Sequence, residues 1–476
     1  HYATWDGNSW TTPALAVAEV NTNEAPQFAV NGNEAILVWS HDGDADVMTV
    51  DDRSIRATVW DGLTWSTPAT MAGTRIGRPF DMVPGLREVR LDPQTTVEAA
   101  LSAYQADPAV LYAQPNYRVH ISETIPNDPD FSRLYGLHNT GQTGGTADAD
   151  VDAPIAWDNF TGSGDQVVAV IDTGVDYTHP DLAPNMWVND GEFNGAPGID
   201  DDGNGFIDDI HGYDFVNGDG DPMDDHYHGT HVAGTIGAAG NNGIGVAGVN
   251  WNAQIMAIKF LDAYGSGWTI DAIWALEYAV DHGATISNNS WGGGPYMHAL
   301  YDAIAWAGLN GHPFVASAGN NGENADRTPM YPAAYDLENI ISVAATDASY
   351  SLASFSNDGR KSVDVAAPGV DIYSTMPGNG YGYLSGTSMA SPHVAGVASL
   401  VRELHPEWGY GQVKSTIIDT VDRVQGLRQT VSGGRVNAGA AAIGTPPPDT
   451  SGPRVGAITP GDLVASPLNT VRVSFN

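Results

Sequence analysis

Four runs of consecutive apolar residues stand out in the middle of the chain. They are Val167-Val168-Ala169-Val170-Ile171, Ile255-Met256-Ala257-Ile258, Pro313-Phe314-Val315-Ala316 and Ile340-Ile341-Ser342-Val343-Ala344. A strand with one wet face alternates apolar and polar residues; a strand covered on both faces has no reason to. Between these runs lie Ala-rich stretches with helical spacing, among them 270–280 and 299–307. Buried strands alternating with helices predict an α/β fold over residues 122–443, with a parallel sheet carrying helices on both faces.

The flanks follow other patterns. Residues 80–121 read β-α-β. Gly85 to Leu91 is a strand, and Thr96 is an N-cap for a helix whose Val97, Ala100, Leu101 and Tyr104 share one face. Asp107-Pro108 stops that helix, and Ala109 to Ala113 is the next strand. Residues 1–73 contain a repeat: Thr4-Trp5-Asp6-Gly7 and Trp10-Thr11-Thr12-Pro13 return as Val59-Trp60-Asp61-Gly62 and Trp65-Ser66-Thr67-Pro68. The Asp-Gly pairs are hairpin signals around the buried-strand run Ala35 to Trp39. This period suits a β-propeller blade whose companions lie upstream, or else a tandem β-sandwich. Residues 444–453 form a Pro-rich linker, and 454–476 alternate like the start of an Ig-like domain cut short. The chain starts at His1 and stops at Asn476 within a strand-like run, so a longer precursor is expected.

Composition narrows the function. Of 476 residues, 57 are acidic and 19 basic, a formal net charge of −38. Nucleic-acid binding needs Lys and Arg against phosphate, so it is not expected. The acid surplus favours bound Ca²⁺ or a surface adapted to salt. The absence of cysteine rules out a cysteine nucleophile, a thiolate metal site and disulfides, but not secretion. No segment approaches the roughly 20 apolar residues of a membrane span.

Three motifs carry chemistry. The first buried run ends in Asp172-Thr173-Gly174. A carboxylate at the C-terminal end of a parallel strand sits where such sheets place their sites, although a turn-capping Asp has the same local signature. His228-Gly229-Thr230-His231-Val232-Ala233-Gly234 opens a helix of small residues. Its two histidines lack the Glu of a zinc-protease pair, so His228 reads as a general base and His231 as a residue that packs or supports the site from behind. Ser385-Gly386-Thr387-Ser388-Met389-Ala390-Ser391-Pro392-His393-Val394-Ala395-Gly396 places Ser388 at a helix N-terminus. Free N–H groups and the helix dipole there stabilise negative charge beside a nucleophile. Pro392 is expected in the first turns, where its missing N–H costs little.

These motifs in the order Asp, His, Ser resemble the subtilase family over residues 122–443. Asp first, then His, then Ser is also the chain order of the subtilisin triad. The resemblance implies that Asp172 orients, His228 is base and then acid, and Ser388 attacks. It implies that Asn320, in Ala316-Ser317-Ala318-Gly319-Asn320, donates to the oxyanion. Gly265-Ser266-Gly267 and Ser290-Trp291-Gly292-Gly293 match the edge segments that pair with an extended peptide, and Ser317-Ala318-Gly319 one wall of the P1 pocket. The segment 80–121, ending in Gln114-Pro115-Asn116-Tyr117, is similar to a short fervidolysin-like pro-domain, which makes the chain its own first partner and substrate.

Calcium is the expected cofactor. Asn242, with the carbonyls of Gly240, Ile244 and Val246, matches the family's calcium loop, and Asp128 and Asp181 supply its carboxylates. Separately, Asp200, Asp202 and Asn204 follow an EF-hand-like spacing, with the Phe206 carbonyl and Asp208 or Asp209 completing the shell; His211 at the closing position excludes an EF-hand proper. A solvated acidic loop is the alternative there. Asp219, Asp221, Asp224 and Asp225 hold a third ion or raise the pKa of His228. The whole predicts a secreted or cell-surface serine endopeptidase acting on protein or peptide substrates, with glycan or surface contact as an alternative role of the flanking β segments.

Overall fold

The computed structural model describes residues 123–443 throughout; outside them it describes six short strands, four helical positions and Ala113. The chain divides into two compact units, His1–Val119 and His120–Asn476.

In the first unit, β1 (Gln27–Asn31), β2 (Glu34–His41), β3 (Ser54–Trp60) and β4 (Ala69–Thr70) form an antiparallel sheet in chain order. Val97, Ala100, Leu101 and Tyr104 are helical, as their spacing predicts. The strands expected at 85–91 and 109–113 lie outside the described residues, save Ala113, which is in no regular element. In the second unit, the linker also lies outside them, and β16 (Val455–Thr459) pairs antiparallel with β17 (Arg472–Phe475).

The second unit is built on one nine-stranded sheet. Its strands are β5 (Val167–Asp172), β6 (Gly212–Asp214), β7 (Gln254–Lys259), β8 (Ile286–Asn289), β9 (Phe314–Ser317), β10 (Ile340–Thr346), β11 (Val365–Pro368), β14 (Asp422–Arg423) and β15 (Gly434–Arg435). The spatial order is β14-β15-β11-β10-β9-β8-β5-β7-β6, and only β14 runs antiparallel to its neighbour. A separate hairpin is formed by β12 (Ile372–Met376) and β13 (Gly380–Leu384).

The unbroken apolar runs are explained by cover on both faces. Along β5, Val168 and Val170 enter one core while Ala169 and Ile171 enter the other. The first core is closed by α3 (His228–Gly237) and the long α6 (Thr387–Leu404), with α1 (Ala153–Trp157), α7 (Tyr410–Asp419) and α8 (Ala438–Ile443) around them. The second is closed by α4 (Thr269–Asp281) and α5 (His298–Leu309). The remaining helix, α2 (Asp190–Phe193), is a single turn. Strand order reverses about β5: β7 lies on one side of it and β8 on the other. Such a switch point opens a crevice at the C-terminal strand ends, and Asp172 is the last residue of β5.

Candidate active site

Asp172 is fully buried and His228 is largely so. His228 is the first residue of α3, and its Nδ1 lies 2.7 Å from Asp172 Oδ1. The approach depends on glycine. A Cβ on Gly229 would stand 2.0 Å from the Gly174 carbonyl and 3.2 Å from Asp172 Cβ, so only Gly lets the helix start this close to the strand end. Asp172 Oδ1 also accepts from the Thr173 N–H at 2.8 Å, while Oδ2 has no hydrogen-bond partner among the described residues. Burial opposes charge on His228, but the Asp172 carboxylate, the hydrogen bond to it and the charge of Asp224 outweigh that and raise its pKa. His231 has the opposite fate. Fully buried and bonded through Nε2 to the Ile372 carbonyl, it is pushed down to about 4 by desolvation and stays neutral, the packing residue expected from sequence.

Ser388 is the second residue of α6. Its Oγ donates to the Ser290 carbonyl at 3.1 Å, and the Ser290 hydroxyl donates back to the Ser388 carbonyl at 2.9 Å. The second bond corrects the expectation for Pro392. Pro392 lies inside α6, past the free N–H groups of the first turn, so it leaves the Ser388 carbonyl without an intrahelical donor. The Ser290 hydroxyl takes that donor's place, which joins the β8 edge segment to the Ser388 helix.

Asn320 is exposed at the same helix start. Its Oδ1 accepts from both the backbone N–H and the hydroxyl of Thr387, each at 2.9 Å. With the oxygen so anchored, the amide NH₂ is the end of the carboxamide left to donate. Thr387 therefore holds the carboxamide, a role the motif does not announce because Thr387 reads there as a helix-start residue.

The two segments matched to peptide-pairing edges both follow strands of the main sheet. Gly265, Ser266 and Gly267 form an exposed turn after β7, braced by Asp262 Oδ1 accepting from the Tyr264 and Ser266 N–H groups. Ser290, Trp291, Gly292 and Gly293 follow β8, and Gly293 donates to the Tyr331 carbonyl at 2.9 Å. Trp291 packs edge-on to Phe260 with ring centroids 4.9 Å apart, so much of it belongs to the second core. Ser317 ends β9, Ala318 is buried, and a Cβ on Gly319 would stand 2.5 Å from Asn357 Nδ2.

Two acidic sites take shape. Asp128 and Asp181 are both buried and both bind the 240–246 loop. Asp128 accepts from the N–H groups of Asn241 and Asn242, at 2.6 and 3.3 Å. Asp181 accepts from Asn242 Nδ2, the Val246 N–H and the Tyr381 hydroxyl, at 2.9, 2.9 and 2.8 Å. Burial pushes the Asp128 carboxyl up, the loop N–H groups offset this only partly, and the Asp181 charge adds to it. Neither carboxylate has an ion-pair partner among the described residues. Two buried carboxylates of like charge beside loop carbonyls suit a hard cation.

At the second site Glu192, Asp202 and Asp209 bring ligand oxygens within 4.8 Å of one another. Glu192 is not among the expected ligands because it comes from α2, outside the acidic run. Of the expected set, Asp202 and Asp209 join it, and Asn204 Nδ2 donates to both at 3.2 and 3.1 Å. Asp208 instead accepts from the Gly198 N–H, Asp200 accepts from the N–H groups of Gly203, Asn204 and Gly205, and the Phe206 ring packs on Tyr213 and Tyr278. Asp224 and Asp225 serve protein contacts: Asp224 binds Thr173 and Thr230, and Asp225 pairs with the buried Lys259 at 2.7 Å.

A buried Asp–His pair at the switch point of a parallel sheet and a serine at a helix N-terminus are the equipment of a serine hydrolase. Comparison with known proteins carries this further. Residues 163–438 match the model of the subtilase family, peptidase S8. A thermophilic serine proteinase of Bacillus sp. (strain AK1) is 43% identical over 343 residues, 72% of this chain and 75% of that protein. Thermitase of Thermoactinomyces vulgaris is 40% identical over 315 residues, 66% of this chain and 97% of its own length. Subtilisin-like protease 1 of Plasmodium falciparum (isolate 3D7) is 39% identical over 285 residues, 56% of this chain and 41% of that protein. The chain belongs to the subtilase family and is a serine protease. Among the described residues no helix is long and apolar enough to cross a membrane.

Proposed function

We propose that the protein is a secreted, calcium-stabilised endopeptidase that cuts peptide bonds through an acyl-enzyme and matures by cutting itself. The observation that carries the catalytic part is the 2.7 Å contact between His228 Nδ1 and buried Asp172 Oδ1. That hydrogen bond fixes the tautomer, leaving Nε2 without a proton and able to take one from Ser388. For attack, Ser388 Oγ turns from the Ser290 carbonyl to Nε2 and adds to the scissile carbonyl. The tetrahedral oxyanion is held by the Asn320 amide and the Ser388 backbone N–H at the α6 N-terminus. His228, now charged and stabilised by Asp172, protonates the leaving amine; water then repeats the sequence on the acyl-enzyme. The extended peptide lies between the 265–267 and 290–293 segments, whose glycines allow close backbone approach, with its P1 side chain beside Ser317-Ala318-Gly319.

Asp128, Asp181, Asn242 and the 240–246 carbonyls would hold one calcium ion, and Glu192, Asp202 and Asp209 a second. The ion would supply positive charge that lets buried carboxylates stay ionised. Residues 80–121 are read as the pro-domain, cut near 118–126; the boundary between compact units at Val119 and His120 falls in that segment. Labelling with a fluorophosphonate tests the central claim: wild type labels and Ser388→Ala does not, and Ser388→Ala also keeps the chain at full length. Equal labelling of the two would sink the assignment.

A further inference from the structure

The Asp172–His228 contact joins residues from two elements, and something must hold strand end and helix start in register. Asp224, buried with 5% of its surface exposed, lies between them. Its Oδ1 accepts from the Thr173 hydroxyl and from the His226 and Tyr227 N–H groups, at 2.9, 2.9 and 3.0 Å. Its Oδ2 accepts from the Thr230 N–H and hydroxyl, at 2.9 and 2.6 Å. Thr173 follows Asp172 directly, and its hydroxyl in turn accepts from the Gly229 N–H at 2.9 Å. One carboxylate thus grips the residue after Asp172 and the residue two beyond His228. It also accepts from Tyr227, whose φ of 147° is a conformation that side chains rarely adopt.

We infer that Asp224 is a positioning residue that sets the Asp172–His228 geometry and adds a second buried negative charge beside the imidazole. This rests on the proposed roles of Asp172, His228 and Ser388. Hydrogen bonding alone would be met by a neutral acceptor, but every group bonded to Asp224 is a donor, which is what a buried anion needs. Its charge is also among the causes that raise the His228 pKa, after those from Asp172. The other charged and titratable groups around the pair do not replace it. Asp225 is neutralised by Lys259 from β7. Asp176, after β5, is engaged by Thr178 and by the Gly378 N–H. His226 has its ring centroid 6.5 Å from that of His228, and His231 on α3 stays neutral. Imidazolium forms in each turnover, so a second buried carboxylate lowers its cost without touching substrate.

The test compares full-length wild type with Asp224→Asn and Asp224→Glu, reading kcat/KM for a chromogenic peptide against pH, with active sites counted by fluorophosphonate. Asp224→Asn removes the charge at nearly constant shape. Its acidic limb is expected to move down by about half a pH unit, with a plateau about tenfold lower per titrated site. Asp224→Glu keeps the charge and displaces the carboxylate, so its plateau falls while its limb stays near wild type. An unmoved limb in Asp224→Asn, with active sites intact, would overturn the electrostatic role and leave Asp224 a structural residue. Should Asp224→Asn yield no titratable sites, Thr230→Val removes one hydroxyl bond to Asp224, and Thr173→Val removes another together with the Gly229 bond, both with the charge retained. Each then lowers the plateau several-fold at an unchanged limb; wild-type plateaus would overturn the positioning role. Retained labelling of Ser388→Ala would instead point to failure of the triad reading itself.

Discussion

The two halves of the site are built from different materials. The Asp172–His228 half is held by charge: Asp172 is fully buried, Asp224 accepts only from donors, and Lys259 pairs with Asp225 nearby. The Ser388–Asn320 half is held by neutral groups: the Ser290 hydroxyl, the Thr387 hydroxyl and N–H, and a helix N-terminus. The division follows the charge that each half must bear. The first becomes imidazolium and profits from carboxylates. The second receives an oxyanion, which a nearby carboxylate would oppose and which oriented dipoles stabilise.

Substitutions that cross this division should have the largest effect. Asp172→Asn keeps the shape but removes the acceptor that selects the His228 tautomer, and a drop of about 10⁴-fold in kcat is expected from steady-state kinetics, as in the serine-protease precedent. On the neutral half, Asn320→Ala should cost about 10²–10³-fold in kcat with KM little changed, the loss of one oxyanion donor. Asn320→Asp should be worse than Ala, because it places an anion where the oxyanion forms; equal losses would break the comparison. Thr387→Val, which releases the Asn320 carboxamide, should lower kcat by about tenfold, and Thr387→Ser should restore most of it.

Effects on stability should leave this division untouched. Removing calcium by chelation should lower the thermal midpoint in calorimetry by several degrees, since a ligand at 100 times its Kd contributes about 2.7 kcal/mol. Asp181→Asn should blunt that response, and a midpoint indifferent to chelator would remove the metal from the account. The smallest effect is expected away from the site, where Asp150 and Asp152 adjoin the buried Arg435. Burial pushes Asp150 up to about 6, and burial with the neighbouring Asp150 charge pushes Asp152 up to about 7. Both folded values exceed the ordinary 3.8, so the native state holds more protons between roughly pH 4 and 7. Their contribution is complete below about pH 4 and is lost as pH rises to about 7. Urea midpoints should fall over that window, and Asp152→Asn should flatten the slope while leaving the acidic limb of kcat/KM in place.

Much of the site is legible in the sequence because its motifs are local. The Asp172, His228, Ser388 and Asn320 segments each carry their own conformational signature, a strand end, a helix start or a Gly-Asn turn. Contact between segments is what no motif reveals. Glu192 meets Asp202 and Asp209 from another element. Thr387 anchors Asn320 across 67 positions. Pro392 reads as harmless at a helix start, yet it lies deeper in α6, and the carbonyl it leaves open is served by Ser290 from the segment after β8. A four-stranded antiparallel sheet forms between Gln27 and Thr70, while the first copy of the repeat, at 4–13, lies outside the described residues.

Which strands are covered on both faces, where helices begin, and which residue types stand at the strand ends and helix starts are all written in the local pattern of the chain. Those are consequences of burial and local backbone preference, which a periodicity records. The three-dimensional packing adds the distance between carboxylate and imidazole, the hydroxyl that serves the carbonyl left by a proline, and the division of charge between the two halves of the site. Such pairings depend on distances between segments far apart in the chain, as in the 56 positions between Asp172 and His228. No local pattern encodes them; packing of the two cores against the sheet brings them about.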